Sequence, residues 1–395
     1  MATERIAAKY VYTLEDERPM VDAYVEYDTD TSAIVSVGKA SDEDDILDGA
    51  IVPGFVNAHC HVELSHLKDK FRKGTGMAGF IDQINELRDW ASREKKIELT
   101  KYWMDKMWED GVAAMADISN DDSSFQVKKS HPMYTRTFLE VFGTEPSQCR
   151  EVMDSVTDLW AQAKELGLDA APTPHSCYTM SPRLLSEAAA AGLSSGFLSY
   201  HSQESQEEEQ YIKSNTGAMY HNRIKAGMSV PEATGKSSLR YFIDRLRCAK
   251  PSPYDEHILL VHNVCLNQDD IDAALEVMKN VYWAICPLSN LFIHNALPPV
   301  KLMRRNNLRI TVGTDSLSSN EDLDMVKELY CIQSNFPQVS VTELFSWACL
   351  NGARFLGKED VLGSIKVGKK PSLVFVSTLD ADGRLTSESR SRRIV

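Results

Sequence analysis

The sequence predicts an α/β fold: a (β/α)8 barrel of the TIM type with a small composite β-sandwich domain built from both termini. Three observations predict it. Eight apolar runs alternate with helical segments, which is the order of elements in a barrel of parallel strands. The Gly-rich phosphate turn that a doubly wound sheet usually carries is absent from the sequence. Both ends of the chain instead alternate apolar and polar residues, as strands with one exposed face do.

The barrel strands are predicted at near-continuous apolar runs, because parallel strands are buried on both faces. The eight runs cover residues 51–58, 112–118, 134–141, 168–172, 196–200, 258–261, 281–285 and 308–312. Amphipathic helical patterns lie between several of them, at residues 79–93, 99–109, 148–165, 182–190 and 269–279. Several of these patterns end at a glycine, as helices often do.

A small β domain is predicted at the two ends of the chain. Residues 10–38 and 363–378 alternate as short strands separated by polar turns. We expect residues 1–50 to form the first part of this domain, 51–360 the barrel, and 361–395 the second part together with a C-terminal tail. The polar stretch 387–393 is expected to be that loose tail.

The composition excludes several classes of protein. A net charge of −14 argues against nucleic acid and anionic membranes as partners, since both select basic surfaces. The N-terminus lacks the residue order of a signal peptide, and no apolar run reaches the roughly 20 residues that span a bilayer. The eight cysteines lack CxxC spacing. We therefore expect a cytoplasmic protein with reduced thiols, a small-molecule substrate, and a monomeric or homo-oligomeric state.

One connection between the predicted strands is much longer than the others. About fifty residues, 204–253, separate the fifth run from the sixth, and glycines and a proline interrupt their helical patterns. Long excursions over the mouth of a barrel include functional lids. A plain structural insertion fits the same pattern, so the role of residues 205–253 stays open.

Side chains that can bind a metal close four of the predicted strands. His59 and His61 follow the first run, and both point to one side of it because side chains alternate along a strand. His201 ends the fifth run, His262 ends the sixth, and Asp315 follows the eighth. Each residue alone could be a core histidine or a capping aspartate. Because the C-terminal ends of barrel strands form the catalytic face, we expect all five to meet there.

Imidazole and carboxylate ligands suit one divalent metal ion, zinc first and ferrous iron as the alternative. Such an ion, with one position open for water, lowers the pKa of that water to about 7. Glu204, three residues after His201, can then carry a proton from the water to the leaving group. The alternative for Glu204 is an ordinary residue at the start of a helix that Ser202 caps.

These motifs together resemble the amidohydrolase superfamily, and most closely its deaminase and chlorohydrolase branch, which includes the aminofutalosine and adenosylhomocysteine deaminases. The resemblance covers essentially the whole chain and implies a TIM-like barrel with a composite β-sandwich. The segments that carry it are residues 53–61, 201–204, 262, 286–290, 313–316, 350–357 and 363–371.

The resemblance implies four metal ligands: His59, His61, His201 and Asp315. It also implies that His262 hydrogen-bonds the hydroxide or the substrate, that Glu204 is the proton shuttle, and that Asp315 accepts a proton from the nucleophilic water. Binuclear relatives need a bridging Lys, Glu or Cys near the end of the fourth strand, and residues 170–175 contain none. One metal ion is therefore expected, with Cys177 as an outside candidate for a second ligand.

Two substrate-binding residues are implied by the same resemblance. His175 resembles the substrate-binding histidine of adenosine-type and aminofutalosine deaminases, although Cys177 stands where those usually have proline. Glu63 resembles the aminofutalosine-type sequences, and a carboxylate there could accept a ribose hydroxyl. The alternative for Glu63 is a charge at the barrel mouth that pairs with an arginine.

The leading hypothesis is hydrolytic deamination of an amino-substituted N-heterocycle, with an adenine nucleoside-like compound such as 6-aminodeoxyfutalosine first. Hydroxide attacks the amine-bearing ring carbon, Glu204 protonates the adjacent ring nitrogen, and ammonia leaves. The alternatives are a chlorohydrolase, a cyclic amidohydrolase, or a guanine or cytosine deaminase. Glu204 favours deamination, since a chloride leaving group needs no proton.

An inactive binding scaffold is the last alternative, because no expected metal ligand is missing from the sequence. The absence of a PCxxC motif excludes a cytidine-type zinc deaminase.

Overall fold

The computed structural model describes residues 2–395, which form fourteen strands and fourteen α-helices. The strands are β1 Thr3–Val11, β2 Met20–Asp28, β3 Ile34–Lys39, β4 Ile46–Pro53, β5 Phe55–Cys60, β6 Val112–Ser119, β7 Tyr134–Val141, β8 Asp169–Pro174, β9 Phe197–Ser202, β10 Tyr254–His262, β11 Met278–Ile285, β12 Ile310–Val312, β13 Leu373–Leu379 and β14 Leu385–Arg393.

The helices lie between and around these strands. They are α1 Gly76–Leu87, α2 Arg93–Glu109, α3 Phe125–Ser130, α4 Cys149–Glu165, α5 Pro182–Ser194, α6 Gln206–Ser214, α7 Gly217–Lys225, α8 Ser238–Ala249, α9 Gln268–Val277, α10 Pro287–His294, α11 Val300–Arg305, α12 Met325–Asn335, α13 Val341–Phe345 and α14 Gly352–Phe355. Within residues 2–395 we find no helix whose length and apolarity would let it cross a membrane.

The α/β part of the fold is of the TIM-barrel type. Strands β5 to β12 form two four-stranded parallel sheets, in the orders β5-β6-β7-β8 and β12-β11-β10-β9. Single parallel bridges link the edges of the two sheets, from Cys60 to Asp315 and from Ser176 to His201. Each of the eight predicted apolar runs overlaps one of these strands. The C-terminal ends of all eight therefore face the same side of the molecule.

The first predicted run, residues 51–58, is two strands rather than one. β4 ends at Pro53 and belongs to a different sheet, and β5 begins at Phe55. Gly54 joins them at a point where a Cβ would lie 2.7 Å from Ala113 Cβ and 2.9 Å from Pro371 O. Both strands are buried, so the apolar run continues across the junction and hides the break.

Both ends of the chain contribute to one six-stranded mixed sheet, in the order β14-β13-β4-β1-β2-β3. The predicted association of the two termini in a β structure agrees with this sheet. The predicted β-sandwich is not confirmed, because the strands from both ends of residues 2–395 lie in a single sheet. The domain boundaries at residues 50 and 360 stay a prediction.

The predicted loose C-terminal tail is wrong, because residues 385–393 form the edge strand β14. Val374 of β13 pairs with Arg393 of β14. The Arg393 guanidinium lies 3.4 Å from the centre of the Trp108 ring, and its Nε donates to Trp108 O at 2.7 Å. Charged and polar side chains are common on edge strands, which is why this strand resembles a tail in sequence.

The long connection at residues 205–253 folds as the helices α6, α7 and α8. The Glu207 carboxylate accepts hydrogen bonds from the backbone N–H groups of Met77 at 3.1 Å and Ala78 at 2.9 Å. A carboxylate at this end of a helix satisfies free N–H groups and complements the helix dipole. The connection thus holds the start of α1, and α1 lines a cleft at the C-terminal ends of the parallel strands.

Candidate active site

A cleft opens where the parallel strands end. It encloses about 870 Å³ of empty space, part of it open to solvent. One wall is apolar and comes from α1, through Met77, Phe80, Ile81 and Ile84. The opposite wall is polar and carries six of the predicted site residues: His61, His175, His201, Glu204, His262 and Asp315.

The predicted ligand side chains converge at the base of this cleft. His59 Nε2 and His61 Nε2 lie 3.1 Å apart, and Asp315 Oδ1 lies 3.7 Å from the first and 3.5 Å from the second. The His201 ring completes this ligand group, with its centre 4.8 Å from that of the His59 ring. The His262 ring lies next to the group, with its centre 5.7 Å from that of the His59 ring. Two nitrogens bound to one zinc at 2.0–2.1 Å in tetrahedral geometry would be about 3.3 Å apart. The donor set therefore fits a metal ion.

Burial favours the neutral form of two of these imidazoles, His59 and His201, and the neutral form is the one that binds metals. Burial, followed by the neighbouring imidazole of His201, lowers the pKa of His59 well below its ordinary value. Burial and the adjacent His175 ring do the same to the pKa of His201. Metal ligation requires a free nitrogen lone pair, so the ligands are prepared for an ion without first losing a proton.

Asp315 is held in place by the backbone and by two hydroxyls. Gly313 at the end of β12 lies so close to β5 that a Cβ there would meet His59 N and O at 2.7 Å. Ser289 Oγ and Ser319 Oγ donate to Asp315 Oδ2 at 2.6 Å and 2.9 Å. Burial would raise the pKa of Asp315, but the His61 and His262 rings and Ser289 outweigh it and lower the pKa. The free oxygen, Oδ1, is the one that faces the histidines.

Glu204 and His262 face each other beside the ligand group. His262 Nδ1 lies 3.1 Å from Asn290 Nδ2, which donates to it, and this leaves the proton of the neutral ring on Nε2. His262 Nε2 is then 3.5 Å from Glu204 Oε1, while Tyr178 OH donates to Glu204 Oε2 at 3.2 Å. Burial, followed by the charge of Asp315, raises the pKa of Glu204 well above its ordinary value. A carboxyl with a raised pKa can hold and release a proton near neutrality.

The turn that carries Glu204 is fixed by a second carboxylate. Glu208 accepts hydrogen bonds from Gln203 N at 3.0 Å and Glu204 N at 2.7 Å. Ser205 is the residue that caps α6, with its hydroxyl accepting from Glu208 N. The alternative in which Ser202 caps a helix containing Glu204 is therefore wrong, since Glu204 lies before the cap.

His175 lies beside the ligand group and lines the cleft. Its ring stacks on that of His201 with centres 4.4 Å apart, and its Nδ1 is 2.8 Å from both Ser176 Oγ and Thr179 Oγ1. Burial lowers the pKa of His175 to about 3, so the ring is neutral. Its Nε2 remains available on the cleft side, 3.8 Å from Glu140 Oε1.

Two predicted candidates are placed away from the cleft. Both carboxylate oxygens of Glu63 accept from the backbone N–H of Asn120, at 2.9 Å and 3.0 Å, and Glu63 does not line the cleft. No arginine within residues 2–395 forms an ion pair with it. Cys177 is buried with its thiol 3.4 Å from Glu208 Oε1, outside the ligand group.

The polar cleft residues that sequence reasoning missed include Arg88, Asn120 and Glu140. Arg88 Nη2 donates to Asn120 Oδ1 at 3.4 Å, and Asn120 Nδ2 donates to Glu140 Oε2 at 2.9 Å. Glu140 carried a usable signal, because it is a charged residue at the C-terminal end of an apolar run. Arg88 lies at the end of a helix and Asn120 in a loop, where no comparable pattern exists.

Most of the chain matches a known protein family. The model of the amidohydrolase family matches residues 50–394. The chain belongs to the amidohydrolase family. Amidohydrolases of this kind are hydrolases that act on C–N bonds.

One curated relative of this amidohydrolase is the 5-methylthioadenosine/S-adenosylhomocysteine deaminase of Moorella thermoacetica, 27% identical over 356 residues that cover 83% of this chain and 73% of the relative. Among solved structures, the Helicobacter pylori aminofutalosine deaminase in complex with methylthio-coformycin has a TM-score of 0.81 at 21% identity, over 99% of this chain and 100% of that one. An adenosine deaminase from Xanthomonas campestris with bound zinc has a TM-score of 0.70 at 20% identity, over 97% and 87%. At these identities the two structures show the fold alone.

Proposed function

We propose that this amidohydrolase deaminates an adenine nucleoside-like compound, with 6-aminodeoxyfutalosine as the first candidate substrate. The observation that carries the proposal is the position of Glu204. Its carboxyl is buried and has a raised pKa, and its Oε1 lies 3.5 Å from His262 Nε2, beside the ligand group. Loss of ammonia needs a proton at the ring nitrogen and at the leaving amine, whereas loss of chloride does not. Relatives that are named as deaminases of adenosine-type compounds support the same class of reaction.

The metal ligands in this proposal are His59, His61, His201 and Asp315. Their imidazoles and the one carboxylate oxygen without a hydroxyl donor suit one divalent ion, zinc first and ferrous iron as the alternative. When bound, such an ion lowers the pKa of a water molecule and polarises it for attack. A zinc-containing relative of the same fold supports this choice of metal.

The remaining steps belong to side chains of this chain. Asp315 Oδ1 accepts the proton of the attacking water, because its other oxygen is already bonded to Ser289 and Ser319. Glu204 delivers a proton to the ring nitrogen next to the amine-bearing carbon, and Tyr178 keeps the Glu204 carboxyl oriented. His262 donates from Nε2 to the oxygen that adds to the ring. Ammonia then leaves with the proton that Asp315 took from the water, and the hydroxyl proton of the intermediate returns to Glu204 as the C=O bond forms.

The substrate base is positioned by His175 and by the apolar wall of α1. The neutral His175 ring can hydrogen-bond a ring nitrogen through Nε2, since Nδ1 is occupied by Ser176 and Thr179. Phe80 and Ile84 supply the apolar surface against which a flat heterocycle packs. Glu63 acts indirectly, by holding the backbone of Asn120 at the cleft wall.

Ammonia release by the zinc-reconstituted protein tests this proposal. The substrates are adenosine, S-adenosylhomocysteine, 5′-methylthioadenosine, aminodeoxyfutalosine, guanine, cytosine and a chlorotriazine. We expect ammonia from at least one adenine nucleoside, a loss of about 10²- to 10⁴-fold in Glu204→Gln, and full activity in the exposed control Glu232→Gln. A chelator should abolish the activity and added zinc restore it. Bound metal with chloride release and no ammonia would move the assignment to a chlorohydrolase.

A further inference from the structure

Glu140 is a buried carboxylate whose hydrogen bonding is only half satisfied. It lies at the C-terminal end of β7, and its side chain is 4% exposed. Oε2 accepts a hydrogen bond from Asn120 Nδ2 at 2.9 Å. Oε1 is buried and has no hydrogen-bond partner among residues 2–395, although Glu140 lines the cleft.

The neighbouring imidazoles do not supply the missing donor. His175 Nε2 lies 3.8 Å from Glu140 Oε1 and His201 Nδ1 lies 3.7 Å from it, both beyond hydrogen-bond length. His201 Nδ1 is instead 3.2 Å from the backbone oxygen of His175. No lysine or arginine of residues 2–395 forms an ion pair with Glu140, so the carboxylate has no strong counterion.

A buried carboxylate oxygen without a donor is costly, and such groups in native proteins usually find a partner. Glu140 lines the cleft, so a ligand bound there can supply this donor. The donor must be neutral or cationic, since an anionic group would be repelled. A hydroxyl fits this requirement, because an O–H donated to an ionised carboxylate forms a short, strong hydrogen bond.

We propose that Glu140 is a specificity-determining residue that accepts a hydrogen bond from a sugar hydroxyl of the substrate. The inference rests on the proposed deamination of a nucleoside-like compound, and it adds the group that recognises the sugar. Glu140 Oε1 approaches the Nδ1 side of His201, whereas the rings of His59 and His61 pack against the same imidazole to form the ligand group. The carboxylate therefore stands beside the ligand group, with one oxygen within 4.8 Å of a ring nitrogen of each of His61 and His201. Glu63 does not take this role, because it does not line the cleft.

The test compares Glu140→Gln with the wild type on substrates with and without the hydroxyls. Glutamine keeps an acceptor for Asn120 Nδ2 but turns an uncharged amide toward the cleft. We expect kcat/KM for adenosine to fall about 10- to 100-fold, the range for a hydrogen bond to a charged group, and kcat/KM for 2′,3′-dideoxyadenosine to change less than about threefold. Glu145→Gln is the matched control, since Glu145 follows the same strand but bonds to Ser229 outside the cleft.

Binding of the products separates this inference from the proposed function. We expect zinc-loaded wild type to bind inosine at least tenfold more tightly than 2′,3′-dideoxyinosine, and Glu140→Gln to bind the two about equally, by calorimetry. This result supports the inference even if no tested amine is deaminated, which would refute the proposed function alone. A second variant, Glu140→Met, checks the result if the glutamine variant loses metal or thermal stability. The inference is overturned if the variant loses kcat/KM equally for adenosine and 2′,3′-dideoxyadenosine, or affinity equally for inosine and 2′,3′-dideoxyinosine. It is also overturned if the wild type binds inosine no more tightly than 2′,3′-dideoxyinosine.

Discussion

Replacing Lys128 by methionine is expected to lower the free energy of unfolding by about 3–5 kcal/mol, the usual cost of removing one partner of a buried ion pair. Lys128 Nζ lies 2.6 Å from Asp117 Oδ2, and neither side chain has any exposed surface. Methionine has a similar length and fills the same space. The variant therefore isolates the loss of the charge, and it leaves the Asp117 carboxylate without a counterion in a low-dielectric interior.

The environment of the pair sets this magnitude. An ion pair on the surface contributes only about 0–1 kcal/mol, because water solvates each charge when its partner is removed. Here the Lys128 ammonium also donates to Ser119 Oγ at 2.7 Å, and Asp117 Oδ1 accepts from Val62 N at 2.9 Å. Asp117 therefore holds the backbone of Val62, which directly follows the predicted metal ligand His61. The loss of Lys128 is therefore expected to weaken metal binding as well as stability.

Urea unfolding of the zinc-loaded protein at pH 7, followed by circular dichroism, measures the effect. Lys129→Met is the control, since Lys129 is exposed on the same helix. The double variant Asp117→Asn with Lys128→Met should recover most of the lost stability, because asparagine removes the unpaired charge and keeps an acceptor for Val62 N. A loss below about 1 kcal/mol in Lys128→Met, or a double variant as unstable as the single one, would refute this reasoning.

Two further predictions concern the surroundings of Glu204. In Tyr178→Phe we expect kcat to fall about 5- to 10-fold with KM little changed. In the wild type this hydrogen bond lowers the pKa of Glu204, so its loss raises that pKa. Because Glu204 acts in its protonated form, the alkaline limb of the kcat/KM profile should move to higher pH, and an unmoved limb would contradict this. Burial, followed by the charge of Glu209, raises the pKa of Glu208 from 4.5 to about 7, so its contribution to stability is present below about pH 4.5 and is lost as the pH rises through 7. Between pH 4.5 and 8 the melting temperature of the wild type should therefore fall more than that of Glu208→Gln. The difference should be equivalent to about 3 kcal/mol in the free energy of unfolding. Parallel plots of melting temperature against pH for the two proteins would show that Glu208 does not titrate in this range.

Much of the barrel-type architecture was predictable because its signals are local. A strand buried on both faces needs a run of apolar residues, and each of the eight runs corresponds to such a strand. The position of a residue at a strand end then places its side chain at one face of the fold, so residues as distant in sequence as His59 and Asp315 could be expected to meet.

The failures have physical reasons of the same kind. The break at Gly54 left no mark, because both flanking strands are buried and equally apolar. Strand β14 was mistaken for a tail, because the ring of Trp108 that covers Arg393 is far away in sequence. Edge strands have polar residues in either case, so composition alone does not separate them from a loose end.

The sequence by itself determined which histidines and carboxylates meet at one end of the barrel-type strands, since side-chain alternation and strand-end position convert spacing along the chain into a shared direction in space. Only the tertiary structure decided which carboxylate faces the cleft. Glu63 lies one turn beyond β5, in the 3-10 segment Val62–Leu67, and the backbone of Asn120 draws its side chain away from the cleft. Glu140 points into the cleft because β7 ends there and Asn120 binds only one of its oxygens. The outcome for both residues depends on packing between neighbouring strands, which a single sequence does not record.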